Sequence, residues 1–170
     1  NVIADITKVG RLLKDNGIQL LYHNHDFEFQ KYDDKFLLDW LYESVSEDLL
    51  KTEVDTCWVK YAGYDPCEYL KKYTGRSPVV HLKDFTCKRF AGGPAYALID
   101  ENGKEIKTTR EDNGFEFRPV GMGLQDFPAI LKAAEEAGAA YAIVEQDASV
   151  DRPPMESAKL SREYLKKIGY

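Results

Sequence analysis

The sequence predicts an α/β fold, a parallel sheet with helices packed on it. Two architectures fit that class: an open doubly wound sheet, or part of a (β/α)8 barrel. Three observations carry the reading and favour the barrel. Apolar patterning alternates between the helical period and short buried runs, as βα units require. No G-x-G-x-x-G follows any strand, which removes the best support for an open dinucleotide-binding sheet. The predicted strands all end in polar, ionisable residues, and strand C-termini are where barrel sites are built.

The elements follow in order. From Val2 to Leu13 the apolar residues Val2, Ile3, Ile6, Val9, Leu12 and Leu13 share one helical face, and Gly17 after Asn16 is the stop signal. Ile18 to His23 reads as a buried strand, and Phe36 to Tyr42 is helical again. Thr52 to Asp55 is a short strand before Thr56-Cys57-Trp58. Asp65-Pro66 opens a helix with Asp as cap and Pro at its first position; it runs to about Tyr73, and Gly75 closes it. Pro78 to Leu82 is a strand, Gln125 to Ala137 an amphipathic helix ended by Gly138, and Tyr141 to Glu145 a strand. Met155 to Ile168 is a last helix whose basic end suits its dipole. The insert from Arg89 to Gly123 breaks the rhythm. Within it Tyr96–Ile99 and Lys104–Lys107 flank Asp100-Glu101-Asn102-Gly103, and Asn-Gly between such runs signals a β-hairpin. Four βα units make half of a barrel of roughly 250 residues, so a preceding half or a second copy is expected to complete it. The chain starts directly in a helical pattern without Met, as part of something longer would.

Composition narrows the function classes. The 170 residues, 44% hydrophobic and 31% charged, suit one ordinary domain over residues 1–170 with a real core. A net charge of −6 speaks against nucleic acid or an anionic membrane as the main partner, because both need a basic footprint. Apolar runs are too short to span a bilayer, and the first residues read as helix rather than leader. Cys57, Cys67 and Cys87 are odd in number and form no C-x-x-C pair, which disfavours a disulfide scaffold or zinc-thiolate site. Free thiols fit a cytoplasmic location.

The chemistry gathers at the strand ends. The first strand runs into His23-Asn24-His25-Asp26-Phe27-Glu28, the second ends at Asp55, the third at His81-Leu82-Lys83-Asp84, and the fourth at Glu145-Gln146-Asp147. Singly, each has an ordinary reading: Asp55 caps a turn, His81 is a bonded core histidine, Glu145 pairs with Lys83, and Lys83-Asp84 is a solvated pair. At four equivalent positions a shared site explains them better. Carboxylates at the ends of buried strands need a partner, and a divalent cation supplies one. A mixed oxygen and nitrogen set suits Mn, Mg, Co or Zn. Such an ion polarises a sugar carbonyl, a nearby carboxylate moves a proton, and Lys83 balances developing negative charge or binds a phosphate. Among the aromatics Trp58, three residues after Asp55, is singled out as a pocket wall.

Five stretches together resemble the sugar phosphate isomerase/epimerase family, with its xylose isomerase-like TIM barrel. They are Tyr22–Phe29 (YHNHDFEF), Glu53–Val59 (EVDTCWV), His81–Asp84 (HLKD), Val120–Gly123 (VGMG) and Val144–Asp147 (VEQD), in the family's order. The resemblance implies that the chain corresponds to the C-terminal half, strands five to eight. It implies metal ligands Glu28, Asp55, His81 and Glu145, with His23 or His25 as alternatives for the first. It also implies catalytic roles for Glu145, His23, His25 and Lys83, and substrate contacts from Trp58, Lys83 and Asp147. The family's ketose epimerases carry a glutamate inside the fifth strand, about where His23 stands, and a histidine where Trp58 stands. The expected function is therefore isomerisation or epimerisation of a sugar or sugar phosphate by proton transfer beside a metal-polarised carbonyl. A metal-dependent lyase or dehydratase on keto-sugars or inososes is the alternative, and a non-catalytic sugar-binding barrel fragment a third. The expected partners are a small sugar and a second copy or complementing N-terminal half.

Overall fold

The computed structural model describes residues 2–90, 98–99, 102–106 and 113–170. Helix α1 (Val2–Asp15) leads to strand β1 (Leu21–His23). A 3-10 turn (Phe27–Phe29) follows, then the strands β2 (Lys31–Tyr32) and β3 (Lys35–Phe36). Helix α2 (Leu37–Ser44), strand β4 (Lys51–Asp55) and the short helices α3 (Thr56–Tyr61) and α4 (Pro66–Lys72) come next. Strands β5 (Val79–Leu82), β6 (Asp84–Thr86), β7 (Leu98–Ile99), β8 (Glu105–Ile106) and β9 (Glu116–Arg118) precede helix α5 (Phe127–Glu136), strand β10 (Tyr141–Val144) and helix α6 (Pro154–Lys167).

Strands β1, β4, β5 and β10 form one parallel sheet in that spatial order. Spatial order equals chain order, with none of the reversal that marks a doubly wound sheet. Right-handed crossovers then place the connecting helices on one face. The side-chain period of two decides which face that is. Val54, Val80 and Leu82 point into a core shared with Leu38, Leu41 and Tyr42 of α2, Leu70 of α4, Ile130 and Leu131 of α5 and Leu165 of α6. Tyr22 of β1 packs against the same core, and the strand neighbours of these residues, among them His23, Glu53, Asp55 and His81, point to the other face. The register pairs His23 with Glu53 and Asp55 with His81, so the ionisable residues lie side by side across the strands.

The sequence-predicted elements are present with ends shifted by a few residues. The hairpin around Asn102-Gly103 pairs Leu98 with Ile106 and Ile99 with Glu105; Tyr96, Ala97 and Lys107, also assigned to it, lie outside the described residues. Two pairings were not anticipated. β2 and β3 form a hairpin whose two loop residues, Asp33 (φ 49°) and Asp34 (φ 60°), take the left-handed conformation such a two-residue loop needs. β6 pairs antiparallel with β9 across the insert. There it joins a second, aromatic core of Trp58, Tyr61, Phe85, Phe115 and Phe117. Among the described residues no helix is long and apolar enough to cross a membrane.

Candidate metal centre

The first three strands of the sheet are tied to one another just beyond the point where the backbone ladder stops. Asn24, fully buried, accepts from the Asp55 amide (2.9 Å) and donates to the Asp55 carbonyl (3.3 Å), which ties the end of β1 to β4. The Thr56 hydroxyl donates to the His81 carbonyl (2.9 Å) and ties β4 to β5. With the strand ends fixed, four side chains converge. One ligand atom from each of His23, Asp55, His81 and Glu145 lies within 4.8 Å of the others.

Asp55 divides its two oxygens between structure and site. Oδ1 caps α3, accepting from the Cys57 amide (2.8 Å) and the Trp58 amide (3.4 Å). Oδ2 faces His23 Nε2 (3.0 Å), Lys83 Nζ (3.1 Å) and His81 Nδ1 (3.8 Å). His81 Nδ1 is also 2.8 Å from Glu145 Oε2, while its Nε2 is 2.6 Å from Glu53 Oε1. Lys83 is buried and bridges Asp55, Glu145 (2.9 Å) and Asp147 (3.0 Å), with its ammonium 5.2 Å from the Trp58 ring centre. Asp55, Glu145 and Asp147 thus surround a single lysine ammonium, with Glu53 against the far nitrogen of His81, and negative charge is in excess.

Burial works against the charge on Lys83, but Asp55, Glu145 and Asp147 outweigh it and hold the ammonium's pKa above the ordinary lysine value. Burial likewise lowers the pKa of His23, yet its bond and charge interaction with Asp55 leave the net value raised. His25 shifts the other way. Burial, with the charge of nearby His23 adding to it, lowers its pKa and favours neutral imidazole.

Of the expected site residues, the structure brings together His23, Asp55, His81, Lys83, Glu145 and Asp147. His25 stands beside them, its ring 5.0 Å from that of His23. Three readings of the sequence are corrected. Glu28 is not among the converging ligands. It sits on the 3-10 turn, where Oε1 accepts from the Tyr22 hydroxyl (2.7 Å) and Oε2 from the His25 amide (2.9 Å). Both oxygens hold the β1 loop in place, and His23 stands in the converging group instead. Trp58 does not line the pocket: it is fully buried and stacked with Phe115 and His25. Asp84 and Lys83 are not a solvated pair either. Asp84 turns away from the site and accepts from the amides of Phe85, Gly121, Gly123 and Gln125, which fastens the VGMG loop.

Sequence reasoning missed Asn24, Thr56 and Glu53. The first two carried a usable signal, since polar residues directly after a strand are placed to extend its ladder. Glu53 carried only its spacing, two residues before Asp55 on the same face.

The donor set suits a divalent ion. Two imidazoles and two carboxylates are the ligands that Mn, Co or Zn accept. His81 Nδ1 and Glu145 Oε2 are buried without a well-aligned hydrogen bond, although only 2.8 Å apart. A cation between them answers that need.

Comparison with known proteins agrees with the fold. The chain is 30% identical to an inosose dehydratase of Clostridium beijerinckii over 99% of this chain and 55% of that protein. It is 31% identical to an inosose dehydratase of Clostridium botulinum over 98% of this chain and 53% of that one. The chain therefore spans about half the length of the curated relatives it matches. The crystal structure of a sugar phosphate isomerase/epimerase from Parabacteroides distasonis superposes with a TM-score of 0.71 at 23% identity, covering 97% of this chain and 50% of that one. The family model described as xylose isomerase-like TIM barrel matches residues 1–168, and with its parallel sheet the chain belongs to that family.

Proposed function

We propose that the chain is the C-terminal half, strands five to eight, of a metal-dependent dehydratase acting on a polyhydroxylated cyclic ketone of the inosose type. The observation that carries the reading is the convergence of His23, Asp55, His81 and Glu145 beside a buried lysine. A divalent cation held by these four would polarise the ketone and fix an adjacent hydroxyl. The remaining steps fall to the chain's own groups. His25, kept neutral by burial, is the base for the proton on the carbon next to the ketone. Lys83 stays protonated and offsets negative charge developing on the substrate. The proton taken from that carbon and the hydroxyl leaving its neighbour make one water, so no oxidant or reductant is required. The inosose dehydratases among the relatives support this choice over isomerisation, as does a histidine at the position where ketose epimerases carry a glutamate.

One observation favours epimerisation of a ketose as a second reading. His25 and Glu145 follow the two outer strands of the sheet, β1 and β10, and two groups approaching from opposite sides can exchange a proton on both faces of one carbon. The sheet's outer edges and its ligand-bearing face are expected to be covered by the complementing half or by a second copy.

Elemental mass spectrometry tests the site first. Chain purified without chelator should carry about one metal per site, and an Asp55→Ala/His81→Ala variant none. Incubation of the loaded protein with an inosose in deuterium oxide then separates the chemistries by NMR. Loss of water from the substrate supports dehydration, and deuterium uptake with a new epimer supports the second reading. A folded sample, alone and with its complementing half, that takes up no metal would overturn both.

A further inference from the structure

Glu53 has no part in the converging group, yet it makes a 2.6 Å contact with one of its members. The contact is to His81 Nε2, the nitrogen directed away from the other ligands. His81 Nδ1 is the nitrogen that faces Asp55 and Glu145. A neutral imidazole has one N–H and one lone pair, and whatever accepts from the first decides where the second points. Glu53 is acceptor-only as a carboxylate, so a hydrogen on Nε2 satisfies the contact and leaves the Nδ1 lone pair directed at the cluster.

We infer that Glu53 is a positioning residue that fixes the tautomer and ring orientation of His81, so that His81 binds a divalent cation through Nδ1. The inference rests on the proposed metal site. Three features support it. Nδ1 is buried and makes no aligned hydrogen bond although Glu145 Oε2 is 2.8 Å away, as two atoms sharing a cation between them would be. Glu53 is on β4, the neighbour of β5, and precedes Asp55 by two residues, so one strand supplies both a ligand and the brace for the next strand's ligand. The His81 ring is also 4.7 Å from that of His23, and a ring fixed at one end by Glu53 is less free to turn toward it. Carboxylate partners of ligating histidines set ring orientation and raise ligand basicity, and their loss typically weakens metal binding about 10–100-fold.

The test uses two readouts, neither of them activity. Imidazole-nitrogen NMR of the metal-free chain reports which nitrogen of His81 carries the hydrogen. The chain has three histidines, so His23→Gln and His25→Gln variants assign the signals. The expected pattern is a protonated Nε2 and a bare Nδ1 in the native chain. In Glu53→Leu the tautomers should mix, and in Glu53→Gln, whose amide oxygen still accepts, the native pattern should persist. Cobalt(II) titration followed by visible absorption should then show binding weakened about 10–100-fold in Glu53→Leu and less in Glu53→Gln. A hydrogen on Nδ1 in the native chain would overturn the inference, as would equal cobalt affinity of native and Glu53→Leu protein. Should Glu53→Leu fail to fold, the native tautomer and the Glu53→Gln titration still decide. Failure of the metal site itself looks different: the native chain takes up no cobalt, whatever the tautomer.

Discussion

Asp55 serves two purposes with two oxygens, and substitutions can separate them. Asparagine keeps an oxygen for the Cys57 and Trp58 amides but removes the charge facing His23 and Lys83, whereas alanine removes both. Both variants should lose metal uptake. Asp55→Ala should in addition be less stable than Asp55→Asn by about 0.5–2 kcal/mol, the worth of a helix cap, as read from urea denaturation midpoints. His23 and Glu28 make a second contrast. His23→Ala should weaken metal binding at least about tenfold by isothermal titration. Glu28→Gln should leave binding close to native, because Glu28 braces Tyr22 and the His25 amide rather than the cluster. Strand-end residues were legible in the sequence because any residue finishing a parallel barrel strand arrives at the same rim. Glu28 was misread because its position depends on how the chain folds after β1. A single 3-10 turn sends its carboxylate back to the strand it came from, and no periodicity announces that turn.

Between elements, Asp39 of α2 is the firmest polar tie. Its buried carboxylate accepts from the hydroxyls of Tyr69 (2.7 Å) and Tyr73 (2.5 Å) and from Lys72 Nζ (2.5 Å), joining α2 to α4 and to the residue that follows it. Burial raises its pKa, but the bonds from Lys72, Tyr73 and Tyr69 outweigh that and hold it below the ordinary aspartate value. Asp39→Ala strands three donors and should cost about 1–3 kcal/mol. The sign of the pH effect follows from the depression. The contribution is fully present above the unfolded-state pKa of about 3.9 and fades as pH falls through the lower folded value. The stability gap between native and Asp39→Asn protein should therefore be flat from neutrality to about pH 5 and shrink below about pH 4. The VGMG loop is a second tie. A Cβ on Gly123 would overlap the Asp84 carboxylate and the Phe85 carbonyl, so Gly123→Ala should cost about 1–3 kcal/mol in the same urea experiment. Helices and parallel strands were legible from their own periods. The β6–β9 pair was not, because its two short strands are far apart in the chain and neither is patterned beyond three residues.

At the scale of the whole molecule, the sheet is finished on one face only. Its helix-covered side holds the main core, while Tyr141, Ile143 and Val144 of the edge strand β10 are all more than a third exposed. Two open strand edges and apolar side chains on one of them favour further pairing. Sedimentation velocity on the chain alone should therefore show a dimer or larger species, and mixing with the complementing half should convert it to a complex of one copy of each. A monodisperse monomer throughout would count against that closure. The parallel order was legible from the sequence, since alternating βα units leave little other choice. Completion of the barrel was not, because which surface covers an open edge depends on a partner.

The burial of Trp58 also turns the chain into its own optical reporter. The other tryptophan, Trp40, is partly exposed on α2, while Trp58 lies directly beneath the Lys83 ammonium that touches Asp55. In a Trp40→Phe background all indole emission would come from a dry, rigid environment a few ångströms from the cluster. Cobalt(II) arriving there would darken that emission in proportion to occupancy, whereas zinc, which has no visible absorption, would leave it bright. Site filling could then be followed in real time and competing ions ranked by displacement, before any substrate is in hand.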